Sequence, residues 1–486
     1  MLAMLAISAS AQVFGPLYGT GEAANLFAQS LGEDPEPDLF YDAHEEDGGL
    51  PPHAVSKFSD GAALLCYLKE YDRDSDVSSS TDIACRVLMR SGYNLGWGQE
   101  LTIDHQDISQ QTGGSVEAVA ATALDASHGI VCGYYTSSGS ANTTCVAVNR
   151  TGIVLNVVMD SETQFAPPSS PFMGATSDWG NEPGIHMKAL DSDDALICYL
   201  SCDVAPSYGS CSDGWNSPSC RVLKWTGTSL TAGDPVPVSS TSDHSKRGHP
   251  ISVASPTLAF VSFRKINSLT RADSDTTVLS AGTEATIADC CSQALSVAAL
   301  GTAAAMVCYK ATSGPDHRCS LYTYSGGTFS HEAASDYLFE AQNEFRMDLV
   351  SMEASGAPNS AMGCFPNSTA PRGACQIFSL DGGALVAREV MEVSPAEQAF
   401  DHPMVASLDV DVSLVCWRKG SYSRLLCRVY APPPPPALPP SPPSPSPSPP
   451  PSPPPPPPDP VQSPDAPSPP RPPPPPPPPP SPPPPP

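Results

Sequence analysis

The sequence predicts an all-β protein, in which a disulfide-stapled, seven-bladed β-propeller-like head is followed by a polyproline II rod. Three observations predict this fold. An apolar strand of one type recurs seven times, and six of the copies carry a cysteine that a second cysteine follows after a short loop. The last 55 or so residues are almost entirely proline and serine.

The first 52 residues precede the repeats. Residues 1–11 are short and apolar and end in Ala9-Ser10-Ala11, the small-x-small pattern of a signal-peptidase site, so we expect a cleaved signal peptide. Residues 12–52 form a polar, acidic N-terminal segment. The last repeat stops at Tyr430 without a closing strand, and we expect Gln12–Tyr18 to supply one.

Residues 53–430 contain the seven repeats. Each has an apolar strand and then two further strands, both of which carry a cysteine in six of the seven repeats, and no convincing helix. The first cysteine position of the seven repeats is occupied, in chain order, by Cys66, Cys132, Cys198, Ser262 (in place of cysteine), Cys308, Cys364 and Cys416. Repeats of about 46–66 residues fit one propeller blade better than one autonomous sandwich domain, because a domain that small buries little core.

The cysteines of one repeat lie on neighbouring antiparallel strands, which places their β-carbons within disulfide range. The predicted disulfides are Cys66–Cys85, Cys132–Cys145, Cys198–Cys220, Cys308–Cys319, Cys364–Cys375 and Cys416–Cys427. Cys202 and Cys211 flank an insertion and are predicted to pair as well. For the adjacent Cys290 and Cys291, a vicinal bridge and a link to another chain both remain open. The cysteines and histidines lack the spacing of a zinc site, so we predict neither metal nor cofactor.

Charge and cysteine content predict the compartment. The net charge is −27, and nearly all of it lies before the Pro-rich tail, which argues against nucleic acid and anionic membranes as partners. Disulfides require an oxidising environment. The chain has no stretch of 18 apolar residues, the length that a membrane-spanning helix needs. We therefore predict a secreted, extracellular protein with N-glycans at the sequons of Asn142, Asn149 and Asn367.

The chain contains no nucleophile elbow, no zinc-protease helix motif and no phosphate loop. This predicts that it has no catalytic residues and is not an enzyme. An aromatic residue often follows the first cysteine of a repeat. Packing in the core explains this pattern more simply than a ligand-binding rim does. These aromatic residues are Tyr67, Tyr199, Phe263, Tyr309, Phe365 and Trp417.

The tail, residues 431–486, cannot form helix or sheet, because proline fixes φ and lacks an N–H group. A polyproline II rod of this length could reach roughly 170 Å. Its long proline runs and alternating Ser-Pro, as in SPPSPSPSPP (residues 441–450), resemble the hydroxyproline-rich extracellular glycoproteins of green algae and plants: extensins, pherophorins and flagellar mastigoneme proteins. The resemblance implies hydroxylated prolines with O-linked sugars. The implied positions are Pro442, Pro445, Pro447 and Pro449, with Ser444, Ser446 and Ser448.

The same resemblance implies a structural subunit of a cell-surface, flagellar or cell-wall fibre, in which the head packs with other heads and the glycosylated shaft mediates assembly. The expected partners are other copies of the chain or related glycoproteins. A secreted carbohydrate-binding, lectin-like propeller that the tail anchors in a wall is the alternative. A propeller-fold glycosidase is a third hypothesis, for which the sequence identifies no carboxylate pair.

Overall fold

The head is a closed ring of seven β-sheets. The computed structural model describes residues 13–14, 18–19, 53–59, 61–70, 81–91, 94–103, 115–137, 140–165, 185–201, 217–239, 250–263, 265–273, 275–287, 290–311, 317–333, 336–339, 347–354, 357–367, 372–388, 390–393, 400–419 and 424–431. Consecutive sheets contact each other through their innermost strands, and the seventh contacts the first. This arrangement confirms the predicted seven-bladed propeller. The chain divides into the units Met1–Pro433 and Pro434–Pro486, and the predicted rod lies outside the described residues, as does the predicted signal peptide.

The strands are numbered in chain order, and two short ones precede blade 1. These are β1 (Val13–Phe14) and β2 (Tyr18–Gly19). Blade 1 contains β3 (His53–Ser59), β4 (Ala62–Glu70), β5 (Thr81–Ser91), β6 (Asn94–Trp97) and β7 (Leu101–Ile103). Blade 2 contains β8 (Ser115–Ala123), β9 (His128–Ser137), β10 (Ser140–Thr151), β11 (Val154–Val157) and β12 (Thr163–Phe165). Blade 3 contains β13 (Ile185–Ala189), β14 (Asp194–Ser201), β15 (Ser217–Trp225), β16 (Leu230–Ala232) and β17 (Val236–Pro237).

The remaining blades repeat this order. Blade 4 contains β18 (Ile251–Ser255), β19 (Leu258–Ser262), β20 (Lys265–Arg271), β21 (Leu279–Ala281) and β22 (Ala285–Thr286). Blade 5 contains β23 (Cys290–Ala299), β24 (Ala304–Ala311), β25 (His317–Ser325), β26 (Thr328–His331) and β27 (Tyr337–Phe339). Blade 6 contains β28 (Asp348–Ala354), β29 (Ala357–Asn367), β30 (Arg372–Asp381), β31 (Ala384–Ala387) and β32 (Met391–Glu392). Blade 7 contains β33 (Asp401–Asp409), β34 (Val412–Lys419) and β35 (Arg424–Ala431), completed by β1 and β2.

The middle strands of each blade are apolar on both faces because each blade is covered by two neighbours. In β4, Leu64 packs into the cluster shared with blade 2, while Leu65 packs into the cluster shared with blade 7. Seven such clusters fill the seven blade junctions. Each fully buried leucine or valine side chain contributes about 1.5–3 kcal/mol. The near-continuous apolar runs of the repeats are therefore strands buried on both sides.

The outermost strand of each blade is interrupted, so that two short segments pair with one long strand. In blade 1, β6 pairs with residues 88–91 of β5 and β7 pairs with residues 83–85. Gly98 lies at the interruption and donates its N–H to the Val87 carbonyl over 2.8 Å. A β-carbon at Gly98 would lie 2.0 Å from the Ile153 carbonyl oxygen of blade 2. Glycine is therefore required where the neighbouring blade makes this close approach.

The ring is closed by strands from opposite ends of the head. Val13 and Phe14 pair with Ala431 and Tyr430, and Tyr18 pairs with Cys427. The N-terminal segment thus forms both halves of the outermost strand of blade 7. As a result, β35 has a partner strand on each side.

Six disulfides join the second and third strands of six blades. In each, the two cysteines are directly opposite in the strand register, with α-carbons 4.0–4.1 Å apart. The pairs are Cys66–Cys85, Cys132–Cys145, Cys198–Cys220, Cys308–Cys319, Cys364–Cys375 and Cys416–Cys427. Cys202 and Cys211 lie outside the described part of the chain. Cys290 and Cys291 begin β23, but their side chains are not among those described.

Blade 4 has Ser262 where the other blades have the first cysteine. Ser262 is fully buried and lies opposite Ile266 in the register. The hairpin between them is tight: Phe263 donates its N–H to the Lys265 carbonyl over 2.8 Å. Hydrogen-bonded and non-hydrogen-bonded pairs alternate along an antiparallel ladder, so Ser262 and Ile266 form a close, non-hydrogen-bonded pair.

The double substitution Ser262→Cys with Ile266→Cys is expected to form a seventh disulfide. The oxidised variant should be more stable to unfolding than its reduced form by about 2 kcal/mol, the value for so short a closed loop. Comparing the two redox forms of one variant cancels the packing lost with the Ile266 side chain. Intact-mass spectrometry reports the bond and chemical denaturation reports the stability. A variant that stays reduced under oxidising conditions would contradict the pairing.

Candidate functional site

Hydrogen bonds between neighbouring innermost strands surround the central channel. An innermost strand is the edge of its sheet, so half of its main-chain N–H groups lack a partner within the blade. At five blade junctions, such a group donates to a side-chain oxygen of the preceding blade. The donor–acceptor pairs are Ala123 N–Ser56 Oγ (3.1 Å), Ala189 N–Thr122 Oγ1 (2.9 Å), Ala299 N–Ser252 Oγ (2.8 Å), Leu349 N–Ser296 Oγ (3.0 Å) and Val405 N–Asp348 Oδ2 (2.7 Å).

The channel is narrow at one level along its length. The cavity there has a volume of about 40 Å³ and is lined by residues of all seven blades, including Val119, Ile185 and Leu349. Such a volume holds about one or two water molecules. An organic ligand would not fit in this part of the channel.

Asp348 carries its carboxylate into this part of the channel. Its depth in the molecule raises the pKa of the carboxyl, an effect that Lys188 and the N–H groups of Val405 and Leu349 counter only in part. When the folded pKa of an acid lies above its unfolded value, the folded state binds the proton more tightly. The contribution of Asp348 to stability is thus present below its unfolded pKa and is lost as the pH rises.

The substitution Asp348→Asn is expected to raise the free energy of unfolding at pH 7, because it replaces a carboxyl whose charged form is disfavoured by burial with a neutral amide. The asparagine oxygen can still accept the Val405 N–H. The gain should shrink as the pH is lowered towards about 4, near the unfolded pKa of aspartate. Denaturation of both proteins between pH 4 and 8 measures it, and an asparagine variant that is less stable at pH 7 would contradict the prediction.

A wider recess opens where the innermost strands end and turn into the second strands. It has a volume of about 490 Å³. Five blades contribute its lining: Lys57, Val253, Ala254, Ala299, Gly301, Ser351, Met352, Asn359, Ser360, Ser407, Asp409 and Val410. A volume in this range is typical of small-molecule sites, roughly 300–1,000 Å³. The many small residues of the lining leave this space open.

Asn359 has an unusual main-chain conformation at the edge of the recess. Its φ of 59° lies in the left-handed region, and it directly precedes Ser360, beyond which the register between β28 and β29 shifts. A β-carbon at Gly301, itself at φ 75°, would lie only 2.8 Å from Asn359 Oδ1. The absence of a side chain at Gly301 thus leaves room for the exposed amide.

The recess carries charges of both signs on adjacent blades. Lys57 of blade 1 is exposed, and the Asp409 carboxylate of blade 7 is partly exposed. Asp409 Oδ1 accepts the Val410 N–H over 2.7 Å, while its Oδ2 lies 4.0 Å from Arg90 Nη2. The remaining polar groups of the lining are hydroxyls and the amide of Asn359.

The aromatic residues that follow the first cysteines belong to the core. Tyr309 and Trp417 are completely buried. In blade 1, Tyr67 donates to Glu100 Oε2 over 2.6 Å and accepts from Arg86, and burial raises the pKa of its hydroxyl. An arginine directly after the second cysteine recurs at Arg221, which donates to the Tyr199 hydroxyl over 2.8 Å. These contacts support core packing and not a rim of stacking aromatics.

The predicted glycosylation sites are described only in part. The Asn149 side chain is exposed near the end of β10, next to the turn into β11. Asn142 lies on the same strand and Asn367 ends β29, but their side chains are not described. The predicted O-glycosylated prolines and serines lie beyond the described part of the chain.

The described residues form neither a metal-binding cluster nor a membrane-spanning helix. Across the described residues, no group of three or more histidine, cysteine, aspartate or glutamate side chains is placed to hold a metal ion. Within the same residues, no helix is long and apolar enough to cross a membrane. The six disulfides are consistent with an extracellular protein.

No protein-family model matches the chain, and no curated protein matches it. Solved structures do resemble it. The NanB sialidase of Streptococcus pneumoniae is 10% identical, with a TM-score of 0.43 over 82% of this chain and 71% of that one. The α-L-arabinanase of Penicillium chrysogenum is 9% identical, with a TM-score of 0.38 over 78% and 92%. The core factor of S. cerevisiae is 7% identical, with a TM-score of 0.44 over 86% and 61%.

These comparisons correct the prediction that the chain is not an enzyme. The solved structures that resemble it include sialidases and an arabinanase, which are enzymes, so the lack of a familiar catalytic motif does not exclude catalysis. The motifs that the sequence lacks belong to other folds, which is why their absence was a poor guide. A likeness of about 10% identity concerns the fold and assigns no reaction to this chain.

Proposed function

We propose that the chain is a structural extracellular glycoprotein, a subunit of a cell-surface, flagellar or cell-wall fibre. In this proposal the propeller is a rigid node and the Pro/Ser-rich tail mediates assembly with other copies or related glycoproteins. One observation carries the proposal. The strand that leads directly into the tail, β35, is held on both sides by other strands and is bonded to β34 through Cys416–Cys427.

A pull on the tail reaches the head at Ala431, the last residue of β35. On one side β35 pairs with β34 from Arg424 to Tyr430, and on the other it pairs with β1 and β2. Force along β35 therefore acts on two ladders of hydrogen bonds and a covalent cross-link together. The third strands of the other disulfide-bonded blades are held in the same way, so the tail is attached to a strand as firmly fixed as those inside the head.

The six disulfides of the head support the same role. Each closes a loop of 11–22 residues in sequence separation, which contributes about 2–4 kcal/mol by restricting the unfolded chain. A head stabilised in six blades suits a long-lived extracellular assembly. The composition of the tail supports a hydroxyproline-rich shaft.

Electron microscopy of the native secreted protein tests this proposal, with a variant that ends at Ala431 as the matched control. We expect ordered fibres with heads at a regular repeat from the native protein and dispersed heads from the control. Single dispersed heads from the native protein would contradict the fibre role. Fibres from both would show that the tail is not needed for assembly.

A second candidate function is carbohydrate binding by the head, with the tail as an anchor. The specific observation in its favour is the 490 Å³ recess with its hydroxyl and amide lining. Incubation of the native protein with an array of glycans tests this function independently of fibre formation. Binding to no glycan would remove it.

A further inference from the structure

We propose that the recess between the ends of the innermost strands is a binding site for a neutral saccharide, with Asn359 as a principal contact. This inference rests on the second candidate function and assigns it a site and a ligand class. The recess is the larger of the two spaces described along the channel, and the narrow part excludes organic ligands. A ligand would therefore enter and leave by the same opening.

The lining favours a ligand that is rich in hydroxyl groups. Ser407 and Asn359 offer groups that both donate and accept hydrogen bonds, as sugar hydroxyls require, and the Ser351 hydroxyl, which shares a hydrogen bond of 3.0 Å with Ser252 Oγ, has capacity for one more. Val253, Met352 and Val410 add aliphatic surface against which the C–H face of a sugar ring can pack. This mixture of a few polar groups among small apolar ones is typical of small-molecule sites.

The charges of the lining favour a neutral ligand over a charged one. Lys57 and Asp409 are the cation and the anion among the lining residues, so the formal charges of the lining sum to zero, and Asp409 also lies 4.0 Å from Arg90, which is outside the lining. An acidic or an amino sugar would meet one like charge as well as one opposite charge, whereas a neutral sugar needs no counter-charge from the lining. Like charges in one site discriminate against such ligands.

Asn359 allows a substitution that separates binding from folding. Its φ of 59° is one that glycine adopts freely, so Asn359→Gly removes the amide while relieving main-chain strain. Asp160 provides a matched control, because its φ is 60° and its side chain is exposed beside the outer strand of blade 2, outside the recess lining. Asp160→Gly is thus the same kind of change at a place where no ligand is proposed.

The test is a titration of the full-length secreted protein with sugars, in which nuclear magnetic resonance signals of the sugar report binding. Galactose and arabinose are the neutral probes and N-acetylneuraminic acid is the anionic one. We expect the neutral sugars to bind the wild type and Asp160→Gly equally. Asn359→Gly should bind them roughly three- to tenfold more weakly, the effect of losing one or two neutral hydrogen bonds.

The neutral sugar could be free or could belong to the protein's own glycans. Titrations before and after glycosidase treatment of the protein distinguish the two sources: binding that emerges after treatment indicates its own glycans, and unchanged binding indicates an external ligand. Tighter binding of N-acetylneuraminic acid than of galactose would overturn the ligand class. Neutral-sugar binding that Asn359→Gly leaves unchanged would overturn the site but not the second candidate function. No binding in any titration would overturn both.

Discussion

Replacing Arg271 with methionine is expected to lower the free energy of unfolding by about 3–5 kcal/mol, the range for removing one partner of a buried ion pair. Arg271 of blade 4 places Nη1 2.6 Å from Oδ2 of Asp194, the first residue of β14, and Nη2 2.6 Å from Oδ2 of Asp191, which lies in the turn that precedes β14 in blade 3. Only 7% of the Arg271 side chain and 3% of the Asp194 side chain are exposed. Without the guanidinium group, the Asp194 carboxylate would remain buried beside Asp191.

The pH dependence of this loss follows from the pKa of Asp194. Burial already raises that pKa, the Asp191 carboxylate raises it further, and Arg271 opposes both effects. In the methionine variant the pKa should rise more, so the folded state would take up a proton that the unfolded state has released. The stability deficit is thus largest at neutral pH and shrinks as the pH falls towards about 4.

A matched variant tests whether the cause is the unpaired charge. Adding Asp194→Asn and Asp191→Asn to Arg271→Met removes the buried carboxylates, so most of the lost stability should return. Chemical denaturation of the three proteins at pH 7 and pH 4 makes the comparison. Equal instability of the single and triple variants would show that Arg271 acts through packing instead.

Loss of the disulfide in the closing blade is the second large effect that we expect. Changing Cys416 and Cys427 to serine should lower the free energy of unfolding by about 3 kcal/mol, the restriction that a loop of this length places on the unfolded chain. Both sulfurs are fully buried, so the serine hydroxyls would add a desolvation penalty. Denaturation under oxidising conditions measures the loss.

The Cys364–Cys375 pair of blade 6 is a close control, because it has the same sequence separation of 11 and is also fully buried. The loop contributions should therefore cancel. Blade 7 differs in that its outer strand comes from the other end of the head. We expect faster amide hydrogen exchange in β35 of the blade 7 variant than in β30 of the blade 6 variant. Equal exchange would show that the closing blade is no weaker than the others.

The strands of the head were predictable because each repeat carries its own pattern. Apolar runs around the cysteines mark the paired middle strands, and cysteines at corresponding positions fix which residues are opposite, as for Cys308 and Cys319. The closing strand was expected within Gln12–Tyr18, and the structure pairs residues 13–14 and 18–19 with β35. In these cases the information is local or lies in a recurring motif.

The recess and the blade 3–blade 4 ion pair were not predictable from the sequence. The recess forms from strand ends of five blades that come together only in the closed ring, and none of its residues belongs to a motif. Asn359 has its left-handed φ near the start of β29, where β29 carries one residue more than β28 between two paired positions, and the sequence does not mark this register shift. An arginine follows the second cysteine in more than one repeat, as at Arg86 and Arg221. This recurrence is the signal from which its hydrogen bond to the tyrosine after the first cysteine could have been predicted.

The pairing of β1 with β35 also determines when the ring can close during synthesis of the chain. Val13 and Ala431 are about 420 residues apart, so at roughly 5–20 residues per second the first strand waits about 20–80 seconds on the ribosome for its partner. Earlier blades can form as they emerge, since each of their sheets is built from consecutive segments. A chain interrupted before Ala431 would retain an unpaired strand at its beginning. The ring can therefore close only after the whole head has been translated.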